Sequence, residues 1–170
     1  MMKLVQQEAL DRAQTIHTRH IVIDSMAPSF IAEWVVTPAM VELGKRLQAE
    51  GKKRSTIQAE LANYLIEHCA SDTDTRDAYL AYWRRAGVAA CNNTLYASGP
   101  PDSAWESLIS EFGRAARMLA ALDGAVIQAN CSGDIERAHR DWIRAVLYNV
   151  QSPEPVGDKL ERVDTLHGLG

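Results

Sequence analysis

No run of apolar residues in this 170-residue sequence approaches the length of a bilayer span, so a membrane-crossing helix is not its organising feature. Basic residues are not in excess either. The net charge is −4, which gives no cationic field for a phosphate backbone, so nucleic acid is not an expected partner. The one basic run, Lys52 to Arg54, falls where a helix should end and where the helix dipole favours cations. Cysteine is scarce: Cys69, Cys91 and Cys131 are far apart and form no C-x-x-C pair. That argues against both a disulfide framework and a zinc knuckle, and it fits a reducing compartment. The first twenty residues carry Glu8 and Asp11 where a signal peptide needs an apolar centre, so a cytoplasmic location is expected. Also missing are a G-x-G-x-x-G fingerprint, a Walker loop, a G-x-S-x-G elbow, an H-E-x-x-H pair and any internal repeat.

What is there is a chain with 46% hydrophobic residues, enough for one domain with a substantial core. Leu4, Ala9, Ala13 and Ile16 suggest a first helix leading into a buried strand, Ile21 to Asp24. Three helices should follow. Thr37 and Pro38 form an N-cap and first-turn pair for a helix ending at Gly51. Ser55 and Gln58 read as a capping box for the second. The third starts near Thr75, groups Tyr79, Tyr82, Trp83 and Ala86, and stops at Gly87. Trp34, Tyr64 and Tyr82 are expected in the core. Beyond Gly87 the pattern is regular. Val88 to Leu95 reads as a strand. A helix follows, capped by Ser103 and Glu106, with a stripe of Trp105, Leu108, Ile109, Phe112, Ala116 and Leu119. The strand "AVIQAN", a helix near Asp134 to Asp141, the strand Ala145 to Val150, and a helix bearing Leu160, Val163 and Leu166 complete the chain. Strands and helices in this alternation predict βαβ units and a parallel sheet of about four strands.

Parallel strands gather ligand groups at their C-terminal ends. Asp24, Asn92 with Asn93, Asn130, and Asn149 with Gln151 are placed by this scheme at or just past strand ends. Asp24, Asn93, Asn130 and Gln151 are therefore the candidate substrate-binding residues. His17 and His20 are better explained as a solvated last helical turn than as metal ligands, and Ser71 to Asp74 as an N-cap region.

The series "IHTRHIVIDSMAPSF", "YWRRAGVAACNNTLYA" and "SGDIERAHRDWIRAVLYNVQSPEPVGDKLERVDTLHGLG" resembles, in order and spacing, the N-terminal half of the membrane dipeptidase family, peptidase family M19. The resemblance implies a partial (β/α)8 TIM-barrel-like domain over 1–170, α/β in class, with a helical insertion over 34–86. It also implies dipeptide hydrolysis by metal-activated water between two zinc ions. The family takes its first ligands from a His-x-Asp after strand one and a bridging Glu from a later strand. Here those positions hold Met26, Pro28 and Gln151, none of which replaces an anionic or imidazole zinc ligand, and the chain resembles a branch of the family lacking His-x-Asp. Asp24 matches a family acid that is not a ligand, with the expected role of holding the strand-one loop. No catalytic residue is assigned. In the family, further strands and two histidines follow "HGLG". The expectation is therefore either the N-terminal part of a larger or split enzyme acting on a small peptide substrate with a C-terminal partner chain, or a non-catalytic half-barrel that forms a homodimer through its open sheet edge.

Overall fold

The computed structural model of the chain describes residues 2–25 and 36–170, with side chains from Gln6 onward. Four parallel strands form one open sheet: β1 (Ile23–Asp24), β2 (Ala90–Leu95), β3 (Val126–Gln128) and β4 (Arg144–Val150). Helix α1 (Met2–Arg19) precedes β1. The expected helical insertion between β1 and β2 comprises α2 (Pro38–Ala49), α3 (Arg54–Ser71) and α4 (Thr73–Ala86). Helices α5 (Pro101–Ala121), α6 (Ser132–Arg140) and α7 (Glu161–Leu169) follow β2, β3 and β4. Among the described residues no helix is long and apolar enough to cross a membrane.

The α/β class and the parallel sheet are as the spacing predicts, and the order of the strands is a finding. It runs β1-β2-β4-β3, so β4 lies between β2 and β3. The chain crosses the sheet one way from β2 to β3 and the other way from β3 to β4. Right-handed crossovers in opposite directions place their helices on opposite faces. Residues two apart on a strand share a face, as do partners in parallel register. Cys91 and Val146 are in register and pack with Leu65, Tyr79, Trp83, Met118 and Leu122 from α3, α4 and the end of α5. Ala90 and Ala145 are in register on the other face and pack with Ile135 and Ala138 of α6. A third cluster joins Leu95 to Leu108 and Phe112 of α5 near the C-terminal ends of the strands, with Leu166 of α7 against it.

Several local expectations need correction. β1 is an exposed edge strand rather than a buried one, with Ile23 at 48% exposure, because among the described residues it has a single strand neighbour. Ser55 does not cap α3, which starts one residue earlier with Lys53 at the cap. Pro100 and Pro101 start α5, so Ser103 lies within the helix. The buried stripe of α5 is Ala104, Leu108, Phe112, Ala115, Met118 and Ala121, rotated from the expected one, and Ile109 is exposed. Tyr79 and Trp83 are core, Tyr64 packs against the core, and Tyr82 is exposed with the Arg85 guanidinium over its ring. Leu160 and Val163 are exposed as well. Trp34 lies outside the described residues.

Candidate functional site

The C-terminal half of the sheet has one face closed by helices and one face that the described residues leave open. On the open face, above the Ala90 and Ala145 pair that α6 covers, stand Asn92, Thr94, Leu147 and Asn149, all half-buried. Asn92 is in register with Leu147, and Thr94 with Asn149. These side chains form a small surface of amide and hydroxyl groups around one leucine. Asn92 Nδ2 donates to the Ser25 carbonyl at 3.3 Å, tying the end of β1 to the middle of β2. Asn92 Oδ1 is buried and accepts no hydrogen bond among the described residues. A buried amide oxygen without a donor is costly.

The candidate residues are dispersed around this surface. Asp24 is exposed and in register with Cys91, on the side facing α3 to α5; burial first, and the Asp24 charge second, push the Cys91 thiol up to about 12. Asn93 does not lie at a strand end, because β2 runs on to Leu95; it is 1% exposed and in register with Tyr148. The Tyr148 ring meets Phe112 edge-on at 5.5 Å, and burial pushes its hydroxyl up to about 12. Asn130 follows β3 and belongs to the start of α6. Its backbone N–H donates to Asp134 Oδ2 at 2.9 Å, as the Cys131 N–H does at 3.2 Å. Those bonds, led by the one from Asn130, hold the Asp134 carboxyl below its ordinary range. Gln151 lies exposed just past β4, its backbone N–H donating to the Leu95 carbonyl at 3.2 Å. Of the two remaining positions that would carry zinc ligands, Met26 and Pro28 are both outside the described residues.

Among the described residues, neither the open face nor its rim offers a donor set for zinc. Its polar groups are the amides of Asn92, Asn149 and Gln151 and the Thr94 hydroxyl. Among the described residues no group of three or more His, Cys, Asp or Glu side chains could hold a metal ion. Amide and hydroxyl oxygens are weak partners for zinc beside imidazole and thiolate. His17 sits at the opposite end of the sheet, against Gly87.

Two features escaped the sequence. Gln128 Nε2 donates to Asn130 Oδ1 at 3.1 Å and to the Leu169 carbonyl at 2.6 Å, joining the end of β3 to the end of α7. Arg162, 8% exposed, clamps α7 to the start of α5. Its guanidinium donates to the Pro155 carbonyl at 2.8 Å, the Pro101 carbonyl at 3.3 Å and the Asp102 carboxylate, and lies 4.9 Å from the Trp105 ring centre. Lys159 also reaches Asp102, at 2.7 Å. Gly157 was the available signal. Its φ of +58° favours glycine, and a Cβ there would sit 2.8 Å from Pro101 Cβ, so the loop comes this close to α5 only without a side chain.

No family model matches the sequence, and neither does any curated protein. Among solved structures, the chain is similar to the crystal structure of dipeptidase AC, a metallopeptidase of family M19, with a TM-score of 0.51 and 16% sequence identity. The alignment covers 63% of this chain and 38% of that one, so the chain spans well under half of the dipeptidase's length. At that identity the likeness is one of fold: this chain shares the parallel α/β architecture of an M19 metallodipeptidase over most of its length.

Proposed function

We propose that this chain is the N-terminal part of an M19-like dipeptidase, a peptide-bond hydrolase of larger or split form, and that its open sheet face helps to bind a small peptide. The likeness in fold to an M19 dipeptidase carries this proposal. The chemistry of the face agrees with it. Asn149 offers amide donors and a carbonyl acceptor, and Asn92 keeps one N–H beyond its bond to the Ser25 carbonyl, groups that complement a peptide unit. In this scheme the chain's residues bind and orient the peptide. The described residues hold no fitting metal ligands, so the groups that activate water and grip zinc come from other parts of the enzyme, such as a C-terminal partner chain.

The test is hydrolysis of unmodified dipeptides by the enzyme in which this chain occurs, isolated with its metal. Asn92→Ala with Asn149→Ala should lower kcat/KM by about tenfold or more, the loss expected for removed hydrogen bonds to substrate. Wild-type rates in that variant, or no dipeptide hydrolysis by the intact assembly, would overturn the proposal. The set of amide and hydroxyl groups favours a second reading, a non-catalytic half-barrel that binds peptides as a homodimer. It predicts metal-free binding of dipeptides with no turnover.

A further inference from the structure

At the other end of the strands, α1 and the C-terminal ends of α4 and α6 line an open cleft of about 670 Å³, within the usual size of a small-molecule site. Its walls carry Arg84, Arg85 and Arg144 against one acid, Asp11, in a chain whose net charge is −4. Among the described residues none of the three arginines forms an ion pair with a carboxylate. The last turn of α4 explains Arg84 and Arg85 in part, because cations are favoured there.

Arg144 has no such explanation. It opens β4, half-buried, and only the Ile143 and Trp142 carbonyls receive its Nη1, at 3.1 and 3.5 Å. Its Nε is buried without an acceptor. Burial, and then the nearby charge of Arg84, disfavour its protonated form. Two guanidinium groups that line one cleft with donors to spare are stabilised when an anion sits between them. Beside them Trp142 is 70% exposed, and its φ of 59° places a bulky residue in the left-handed region. That conformation ends α6, with the Ile143 N–H on the Ala138 carbonyl at 3.0 Å and the Trp142 N–H on the His139 carbonyl at 3.3 Å, and it leaves the indole on the surface beside the cleft.

We infer that this cleft binds a phosphorylated small molecule with a flat ring, of the mononucleotide class, its phosphate between Arg84 and Arg144 and its ring on the Trp142 indole. The site lies at the opposite end of the strands from the amide-lined face, so dipeptide hydrolysis is not its readout.

Isothermal titration of the full chain with adenosine monophosphate, adenosine and inorganic phosphate tests it. The nucleotide should bind, with adenosine and phosphate each weaker by about tenfold or more, since each keeps one half of the contacts. Arg84→Ala and Trp142→Ala, both on exposed side chains, should each weaken the nucleotide by about tenfold while circular dichroism stays that of the wild type. Arg144→Gln should do the same, with Arg84→Ala deciding if that variant misfolds. No binding of the nucleotide at millimolar concentration, equal binding of adenosine, or unchanged affinity in Arg84→Ala would overturn the inference.

Discussion

Replacing Arg162 with alanine removes the polar clamp between α7 and the start of α5. The guanidinium is almost fully buried and donates to the carbonyls of Pro155 and Pro101, at 2.8 and 3.3 Å. A hydrogen bond from a charged donor contributes about 1.5–3 kcal/mol, and a buried carbonyl left without its donor costs about 1–3 kcal/mol. Loss of the contact with Trp105 adds about 0.5–1 kcal/mol. These terms overlap, because the bond lost and the carbonyl stranded are one event, so a total near 4 kcal/mol is expected. With a urea slope of about 2 kcal/mol/M, the unfolding midpoint should fall by about 2 M. Arg162→Met keeps the stem against Trp105 and should recover about 1 kcal/mol of that. Asp102 is mostly exposed, so Asp102→Asn should leave the midpoint close to wild type despite losing two cationic partners. A midpoint shift under about 0.5 M for Arg162→Ala, or an equal shift for Asp102→Asn, would refute the assignment of the clamp to the buried carbonyl contacts.

Leu108→Ala opens a cavity at a fully buried position between α5 and the ends of the strands and should cost about 3–5 kcal/mol by denaturant titration. Gly157→Ala forces a left-handed backbone and a contact with Pro101; about 2 kcal/mol of destabilisation is expected in the same assay, and a neutral result would contradict the close approach. Thiol labelling of the native protein should modify Cys131 and spare Cys69 and Cys91, which are buried and whose thiols are pushed up to about 11 and about 12; all three should react in denaturant. Asp134 has its folded value lowered below the ordinary 3.8, first by the Asn130 N–H. Its contribution is therefore present above the unfolded value and lost as pH falls through the lower folded one, and Asp134→Asn should flatten that part of a stability–pH curve measured by thermal melts.

Part of the helix-end signal was legible in the sequence, although Ser55 and Ser103 do not cap their helices. Thr37 accepts from the Met40 N–H at 3.2 Å, Asp72 from Asp74 and Thr75, and Gly87 ends α4 with a φ of +67°. Each of these is a local choice made within one turn of chain. Strand order and face are not local. Asn92 and Asn93 are neighbours of the same type, yet one is half-buried on the open face and the other is sealed under the helices, a difference that rests on the pleat of β2 and on which side α5 crosses. The position of β3 beyond β4 likewise leaves no mark on spacing, since β2-to-β3 and β3-to-β4 connections each contain one helix in either arrangement. Arg162 was missed because an arginine in the first turn of a short helix normally points to solvent.

The shortness of β3 limits where the sheet can grow. β3 meets β4 only from Arg144 to Val146, so on that side the backbone of Leu147 to Val150 has no strand partner among the described residues. A newcomer, from the same polypeptide or another molecule, would find its anchoring row confined to about four residues. Those four include Asn149, so any such lengthening would deliver its own side chains beside the amide-lined face rather than to the distant cationic cleft.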